Sequence, residues 1–323
     1  MVKFTRIHIK AISSESIIEE ALSEARKEED TILRSFALID ICKALSKAGE
    51  IERALDVARE IDALRQFDIN PESVDGARAS ILSYVSKALA EIGETKRATR
   101  MVEEALSITK QISDRGILER PLSDISTALA KLGEIEKALD VARELGYESR
   151  ASTLAEISEM LIKEGKIENA RDFIKEARDI VRLISSEYYR VIALSDISVA
   201  LAQSGDLQKA KEVIGESLSI AEGIHDRTEC DTSHWFALSE VIKALARMGD
   251  TKKALDMARG IRFDRARIDA LSNISEALIK EEKIEKAKEV IGEALIMAKR
   301  TSVNWIYSCV LSKIYVVLRS VEH

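Results

Sequence analysis

LSDISTALAKLGEIEKA, residues 122–138, is the clearest copy of a pattern that recurs seven times along this chain of 323 residues. A leucine is followed three residues later by Ile125, then by a small residue, and Leu129 comes four residues after the isoleucine. A turn at Gly133 follows, and Ala138 lies five residues beyond it. The turns of the seven copies lie at Gly49, Gly93, Gly133, Gly165, Gly205, Gly249 and Glu282. Apolar residues three and four apart share one face of a helix, so the repeats predict helical hairpins that stack into an all-α solenoid.

Two positions of the repeat predict where the two helices of a hairpin touch. The alanine after the turn has no exception, and it lies on the second helix, which we call helix B: Ala54, Ala98, Ala138, Ala170, Ala210, Ala254 and Ala287. A mostly small position lies on the first helix, helix A: Cys42, Ser86, Ser126, Ser158, Ser198, Ile242 and Ser275. Small side chains allow two helix backbones to approach closely, so we expect helices A and B to meet at these residues.

The two ends of the chain complete the expected architecture. Residues 14–28 match a helix B with no helix A before it, and residues 303–319 match a helix A with no helix B after it. We therefore expect about 16 helices in a single solenoid domain over residues 14–323, with an extension at residues 1–13 and a final unpaired helix at 303–319.

Composition excludes several classes of protein. The hydrophobic fraction of 46% and the charged fraction of 33% argue against a disordered chain. No run of about 18 apolar residues predicts a membrane helix, and the first residues lack the apolar stretch of a signal peptide. Three cysteines, an odd and widely spaced set, are expected to stay reduced. We therefore expect a cytoplasmic protein with no membrane partner, and its many Glu, Lys and Arg residues are typical of a thermophile.

The turn Gly133-Glu134-Ile135-Glu136-Lys137-Ala138 resembles the hairpin turn of the tetratricopeptide repeat (TPR). The resemblance covers roughly residues 30–300, but the helix A aromatic and the closing proline of that family are absent. The spacing also varies from 32 to 44 residues, where the family repeats every 34 or so. The resemblance implies a right-handed TPR-like α-solenoid that binds peptides or partner proteins on the concave face formed by its A helices. A HEAT-like or otherwise divergent solenoid is the alternative.

Helix A positions that are not needed for packing are the candidate partner-binding residues. Two of these positions lean basic and carry eight cations. All of these except Lys280 are taken as partner-binding candidates: Lys43, Lys47, Lys87, Lys131, Lys163, Lys243 and Arg247. A third position is mostly acidic, and it includes Asp40, Asp124 and Asp196. The competing interpretation is a solvated face laced with local ion pairs. An arginine also recurs four residues before the first leucine, as at Arg34 and Arg78, and is expected to pair with acids of the preceding helix B or to form an anion-binding ridge.

Catalytic and metal chemistry find little support in the sequence. His225, Cys230 and His234 lie near three acids in one junction, but a single cysteine and a histidine at the recurring arginine position argue against a metal site. No Gly-rich phosphate loop and no arrangement of nucleophile and base is present. We therefore expect no enzyme activity, no metal and no cofactor.

The last helix carries more apolar residues than one buried face needs. Trp305, Ile306, Val310 and Val317 are predicted to stay partly open and to mediate self-association as a homodimer. A cover supplied by the same chain is the alternative.

A protein-interaction scaffold that binds a partner protein or peptide is the leading prediction of function. An RNA-binding helical-repeat protein is the main alternative, and an enzyme accessory domain is a weaker one. The net charge of −7 and a pI near 5.5 argue against binding of nucleic acid in general, because phosphate neutralisation supplies most of that affinity.

Overall fold

The computed structural model describes residues 13–67, 70–225, 232–301 and 303–322. Over these residues the chain forms sixteen α-helices, one short 3₁₀ helix (Leu64–Gln66) and no strand, which confirms the predicted all-α helical-repeat fold. The helices are α1 (Ser14–Lys27), α2 (Thr31–Lys47), α3 (Ile51–Ala63), α4 (Pro71–Glu91), α5 (Thr95–Thr109), α6 (Arg115–Lys131), α7 (Ile135–Arg143), α8 (Tyr147–Lys163), α9 (Ile167–Val181), α10 (Glu187–Gln203), α11 (Leu207–His225), α12 (Ser233–Arg247), α13 (Thr251–Gly260), α14 (Asp264–Lys280), α15 (Ile284–Thr301) and α16 (Asn304–Glu322). No helix in these ranges is long and apolar enough to cross a bilayer.

The seven predicted turns end the A helices in one common way. Each turn glycine has a φ between 76° and 90°, a left-handed conformation that glycine adopts without a Cβ penalty. The N–H of the residue after the glycine donates to the carbonyl of the second repeat leucine, as from Glu134 to Leu129 at 3.0 Å. Glu282 adopts the same conformation, with φ 59°, although it carries a side chain.

The contact predicted between helices A and B is confirmed. All seven repeat alanines are fully buried. The Ser86 hydroxyl donates to the carbonyl of Ala98 at 2.9 Å, and Ser126 does the same to Ala138 at 2.6 Å. Cys42 is fully buried as expected, and burial raises the pKa of its thiol to about 12.

The chain divides into two compact units, and the expected single solenoid domain stays a prediction. Unit 1 takes in the chain up to Ala138 and again from Lys283 onward, and unit 2 is Leu139–Glu282. In unit 1 the helices pack in the order α15, α16, α1, α2, α3, α4, α5, α6, with the A helices α16, α2, α4 and α6 side by side. In unit 2 the A helices α8, α10, α12 and α14 are adjacent in the same way, with α9, α11 and α13 as B helices.

The last helix is paired, although we expected it to lack a partner. Helix α16 packs against α1, which has the helix B pattern, and against α2. The Ser308 hydroxyl donates to the carbonyl of Ala21 at 2.9 Å, and the Tyr307 hydroxyl donates to Glu20 at 2.7 Å. The two ends of the chain thus form an eighth hairpin inside unit 1. The predicted extension lies outside the described residues up to residue 12, and Ser13 caps α1.

The recurring arginines mostly join neighbouring helices. Arg78 pairs with Asp62 on the preceding helix B at 3.5 Å, as expected, but it lies closer, at 2.6 Å, to Glu104 on the helix B that follows. The Nε–H of Arg34 instead donates to the backbone carbonyl of Glu28, at 2.8 Å, just beyond the end of the preceding helix B. A cation near a helix C-terminus is favourable to the helix dipole, so this contact supports the packing of successive repeats.

Candidate functional site

An open groove lies at the N-terminal ends of three neighbouring A helices of unit 1. Its volume is about 230 Å³, and residues of α2, α4 and α6 line it. We call it the α2–α4–α6 groove, and its lining residues are Ile32, Ser35, Phe36, Ile39, Ser73, Gly76, Ala77, Ser80, Gly116, Ile117, Arg120 and Pro121. Most of these side chains are apolar, so the groove suits an apolar group.

The groove is open because none of the described residues covers its outer wall. Ile32 and Phe36, on α2, are 51% and 42% exposed. Its floor forms where α4 approaches α6: a Cβ at Gly76 would lie 2.8 Å from Cγ2 of Ile117. Glycine at position 76 therefore allows this close approach. Pro121, inside α6, also lines the floor of the groove, and proline has no backbone N–H.

Arg120 provides the charge of the groove. Its side chain is 47% exposed, its charge interacts with the Tyr84 hydroxyl, and its Nε lies 4.0 Å from the Asp124 carboxylate. Burial alone would lower the pKa of Arg120, but Tyr84, Asp124 and Asp40 together raise it. The guanidinium is therefore held in place and charged at the edge of an apolar groove.

Tyr84 connects the groove to the predicted basic positions. Its ring is buried, and burial raises the pKa of its hydroxyl. The Lys43 and Lys87 Nζ atoms lie 5.3 Å and 4.8 Å from the centre of the ring. Lys87 also donates to the Thr127 hydroxyl at 2.9 Å. Groove and lysines thus form one continuous surface across α2, α4 and α6.

The structure divides the seven predicted cations between the two units. In unit 1, Lys43 and Lys47 are exposed, while Lys87 is half-buried and Lys131 pairs with Glu91 at 3.4 Å. These four residues share the face that carries Tyr84 and Arg120. With the carboxylates between them, they form what we call the unit 1 A face: Asp40, Lys43, Lys47, Tyr84, Lys87, Glu91, Arg120, Asp124 and Lys131.

The predicted cations of unit 2 are largely engaged by its own acids. Lys163 is exposed, and Lys243 pairs with Glu240 at 2.8 Å. Arg247, on α12, lies 2.5 Å from Glu159 of α8 and 4.0 Å from Asp196 of α10.

The cluster around Arg247 links three helices through ion pairs. Both carboxylates that face Arg247 are buried, and the Gln203 amide donates to Glu159 at 2.9 Å. Burial raises the pKa of Asp196 to about 7, against the opposing charges of Lys243 and Arg247. A cation that its own chain encloses is poorly placed to bind a partner. The arrangement around Arg247 therefore fits the competing interpretation, in which these cations form ion pairs within the chain.

The residues predicted for self-association are only partly exposed. Val310 and Val317 are 2% and 0% exposed, because α1 and α2 cover them within the same chain. Trp305 and Ile306 remain partly exposed. The expected open patch is therefore reduced to these two residues, and the homodimer stays a prediction.

The junction that was weighed as a metal site has one member in a structural role. The Nδ1–H of buried His234 donates to the carbonyl of Ala221, on α11, at 2.9 Å. Residues 226–231 lie outside the described residues. Within the described ranges, no three His, Cys, Asp or Glu residues are grouped to hold a metal ion.

Sequence reasoning missed the groove. Its central residues Phe36, Ser80 and Arg120 share one repeat position, two residues before the first leucine, but their chemistry differs from copy to copy. Gly76 and Pro121 were the available signals, because glycine and proline permit or mark unusual helix packing.

Comparisons with known proteins leave the function open. No protein-family model and no curated protein matches the chain. Among solved structures, Ton1535 from Thermococcus onnurineus NA1 is similar at 17% identity and a TM-score of 0.34, over 96% of this chain and 99% of that chain. A Rap protein complexed with competence and sporulation factor is similar at 16% identity and a TM-score of 0.38, over 84% of this chain and 77% of that chain. Likenesses this distant carry no argument about function, and the TPR resemblance stays a resemblance.

Proposed function

We propose that this chain is a non-catalytic protein-interaction protein that holds a segment of a partner protein in the α2–α4–α6 groove. The observation that carries the proposal is the pair of half-exposed side chains Ile32 and Phe36 beside an apolar groove on the A helices. Large apolar side chains that are exposed next to a concave apolar surface usually mark a contact site.

The size of the groove favours one anchoring side chain of a partner. Pockets that enclose whole small molecules commonly measure about 300–1,000 Å³, and this groove holds about 230 Å³. A single leucine or aromatic side chain, carried on a longer segment that crosses the A helices, suits that space. Affinity for such segments typically concentrates in one or a few buried anchors.

The residues of the groove supply no acid or base for catalysis. Its lining residues include hydroxyl groups and the guanidinium of Arg120, but no His, Cys, Asp or Glu. General acid–base and nucleophilic catalysis need a group that titrates near the working pH or an activated nucleophile. This composition supports binding over catalysis at this site.

Selection of peptides tests the proposal whatever the identity of the partner. Random peptides displayed on phage would be selected against the full-length chain, and bound clones would be retested against Phe36→Glu. We expect binding to be lost, because a carboxylate replaces the exposed apolar wall. The matched control is Leu183→Glu, which changes an equally exposed apolar residue (58%) in the turn after α9.

The proposal fails if selected peptides bind Phe36→Glu as well as they bind the unchanged chain, or if they bind Leu183→Glu as poorly as Phe36→Glu. Circular dichroism of both variants would verify that the helices are intact.

A further inference from the structure

The unit 1 A face carries a surplus of positive charge that the whole chain does not share. The count is made at four helix A positions, which lie two residues before and two, five and nine residues after the first repeat leucine. At these positions α2, α4, α6 and α16 carry six cations against three carboxylates, although the net charge of the chain is −7. The cations are the five of the unit 1 A face together with Lys313 of α16: Lys43, Lys47, Lys87, Arg120, Lys131 and Lys313; the carboxylates are Asp40, Glu91 and Asp124.

The equivalent positions of unit 2 have the opposite balance. At the same four positions, α8, α10, α12 and α14 carry six carboxylates against four cations. The carboxylates are Glu156, Glu159, Asp196, Glu240, Asp269 and Glu276, and the cations are Lys163, Lys243, Arg247 and Lys280. The positive surplus is therefore a property of unit 1, where the groove lies, and does not follow from the repeat itself.

The groove and the surplus charge are joined by direct contacts. Arg120 lines the groove and interacts electrostatically with Tyr84, and the ring of Tyr84 lies under Lys43 and Lys87. A segment anchored in the groove would therefore pass directly over these cations. Ser80, at the groove and only 1% exposed, has a hydroxyl with no hydrogen-bond partner.

We infer that the partner segment is acidic: one bulky apolar side chain enters the groove, and flanking Asp or Glu residues lie along Arg120, Lys43 and Lys47. This inference rests on the proposed function and adds the chemistry of the partner. Complementary charge sets the specificity and the association rate of such complexes, while the apolar anchor holds the segment in place.

An acidic polypeptide fits this surface better than a nucleic acid does. The aromatic ring at its centre, Tyr84, is buried, whereas binding of single strands relies on exposed rings that stack on bases. The apolar groove likewise has no complement in a phosphate backbone.

Three synthetic probes measured by fluorescence anisotropy test the inference. Each probe carries one phenylalanine, flanked by Asp and Glu in the first, by Ser and Gln in the second, and by Lys in the third. We expect the acidic probe to bind about tenfold more tightly than the neutral one, and the basic probe not to bind. Raising the salt concentration from about 50 mM to about 300 mM should weaken the binding of the acidic probe but not that of the neutral probe, because salt screens exposed charges.

Charge-reversal variants locate the effect. Lys47→Glu should lower the affinity for the acidic probe about fivefold and leave the affinity for the neutral probe unchanged. Lys175→Glu, at an exposed lysine on the B helix α9 of unit 2, is the matched control and should change neither. Both lysines are exposed, so loss of folding does not confuse the comparison.

The outcomes separate this inference from the function on which it rests. If the neutral probe binds as tightly as the acidic one and depends on Phe36, the groove binds peptides but the acidic partner is wrong. If no probe binds in a manner that Phe36→Glu abolishes, the proposed function fails as well. If the acidic probe survives Phe36→Glu and single-stranded RNA displaces it, the surface is a general anion-binding face and the inference is overturned.

Discussion

The Ser308 hydroxyl donates a hydrogen bond of 2.9 Å to the carbonyl of Ala21, although 287 residues separate the two in sequence. The bond lies between α16, which has the helix A pattern, and α1, which has the helix B pattern. The two helices pack together as the A and B helices of the other hairpins do, and each buries an apolar face. Unit 1 therefore depends on contacts between the two ends of the chain.

Tyr315 tests that dependence most sharply. It is fully buried on α16, and its hydroxyl donates to Glu50 at 2.5 Å. Tyr315→Ala should lower the free energy of unfolding of unit 1 by about 3–5 kcal/mol, the usual cost of removing a buried aromatic side chain. Urea denaturation would be followed by the fluorescence of Trp305, in a Trp235→Phe background that leaves it the only tryptophan.

Two further variants divide the contribution of that side chain. Tyr315→Phe should cost only about 1 kcal/mol, the net value of one hydrogen bond. Tyr147→Ala, at a tyrosine that is 49% exposed, should stay within about 0.5 kcal/mol of the unchanged chain. Equal effects of Tyr315→Ala and Tyr147→Ala would show that the ends do not pack as described.

The geometry of the turns predicts that two substitutions change the stability of the chain in opposite directions. Gly93 has φ 81°, and no atom of its surroundings lies within 4 Å of the place a Cβ would take, so Gly93→Ala should cost about 1 kcal/mol through backbone strain alone. Glu282 already bears that strain at φ 59°, so Glu282→Gly should stabilise the chain by a comparable amount. Thermal unfolding of the two variants beside the unchanged chain measures both; a shift of the same sign in each would contradict the account of these turns.

The repeat alanine is predicted to be intolerant of larger side chains. Ala98 is fully buried where the Ser86 hydroxyl meets its carbonyl. Ala98→Leu should force helices α4 and α5 apart and cost about 1–3 kcal/mol. Ala63→Leu, at the exposed end of α3, is the control and should change the denaturation midpoint little. An unchanged midpoint in Ala98→Leu would mean that the helices do not approach closely there.

Asp196 gives unit 2 a predictable pH dependence. Burial raises the pKa of this carboxyl from 3.8 to about 7, with further contributions from Glu156 and Glu240 and opposition from Lys243 and Arg247. Between these two pH values the folded state keeps a proton that the unfolded chain releases, so stability falls as the pH rises and levels off above the folded pKa. Asp196→Asn cannot ionise, so its stability relative to the unchanged chain should rise across that window, by at most about 1.4 kcal/mol per pH unit.

The fluorescence of Trp235 in a Trp305→Phe background reports on unit 2 for this experiment. Asp206→Asn supplies a control of opposite sign. The hydrogen bond from Lys209 lowers the pKa of Asp206, so that carboxylate stabilises the fold above its unfolded pKa and loses its effect as the pH falls. If the stability of Asp196→Asn and that of the unchanged chain varied in parallel with pH, the raised pKa of Asp196 would be refuted.

Most of the fold could be predicted from the repeats because their signals are local. The spacing of Ile125 and Leu129 fixes a helix face, Gly133 fixes the turn, and Ala138 fixes the contact between the two helices of the hairpin. Each of these relationships lies within one hairpin, where sequence distance and spatial distance correspond.

The features that could not be predicted depend on contacts between distant residues. Both terminal helices were recognised as half-hairpins, but no local pattern states that the helix with Ser308 completes the helix with Ala21. The groove forms because α4 and α6 approach closely at Gly76, and a single sequence does not show how closely two helices pack. The engagement of Arg247 by Glu159 likewise joins repeats that lie far apart in the chain.

Site-specific photocrosslinking at position 36 tests the central claim, that the α2–α4–α6 groove holds an acidic partner segment. A benzoylphenylalanine would replace Phe36 in the full-length chain, and a second protein would carry it at Leu183. After irradiation in an extract of the source cells, we expect a discrete adduct from position 36 alone, with the crosslinked peptide containing a bulky apolar residue flanked by Asp or Glu. The same adducts from both positions, or a crosslinked segment without acidic residues, would contradict the account.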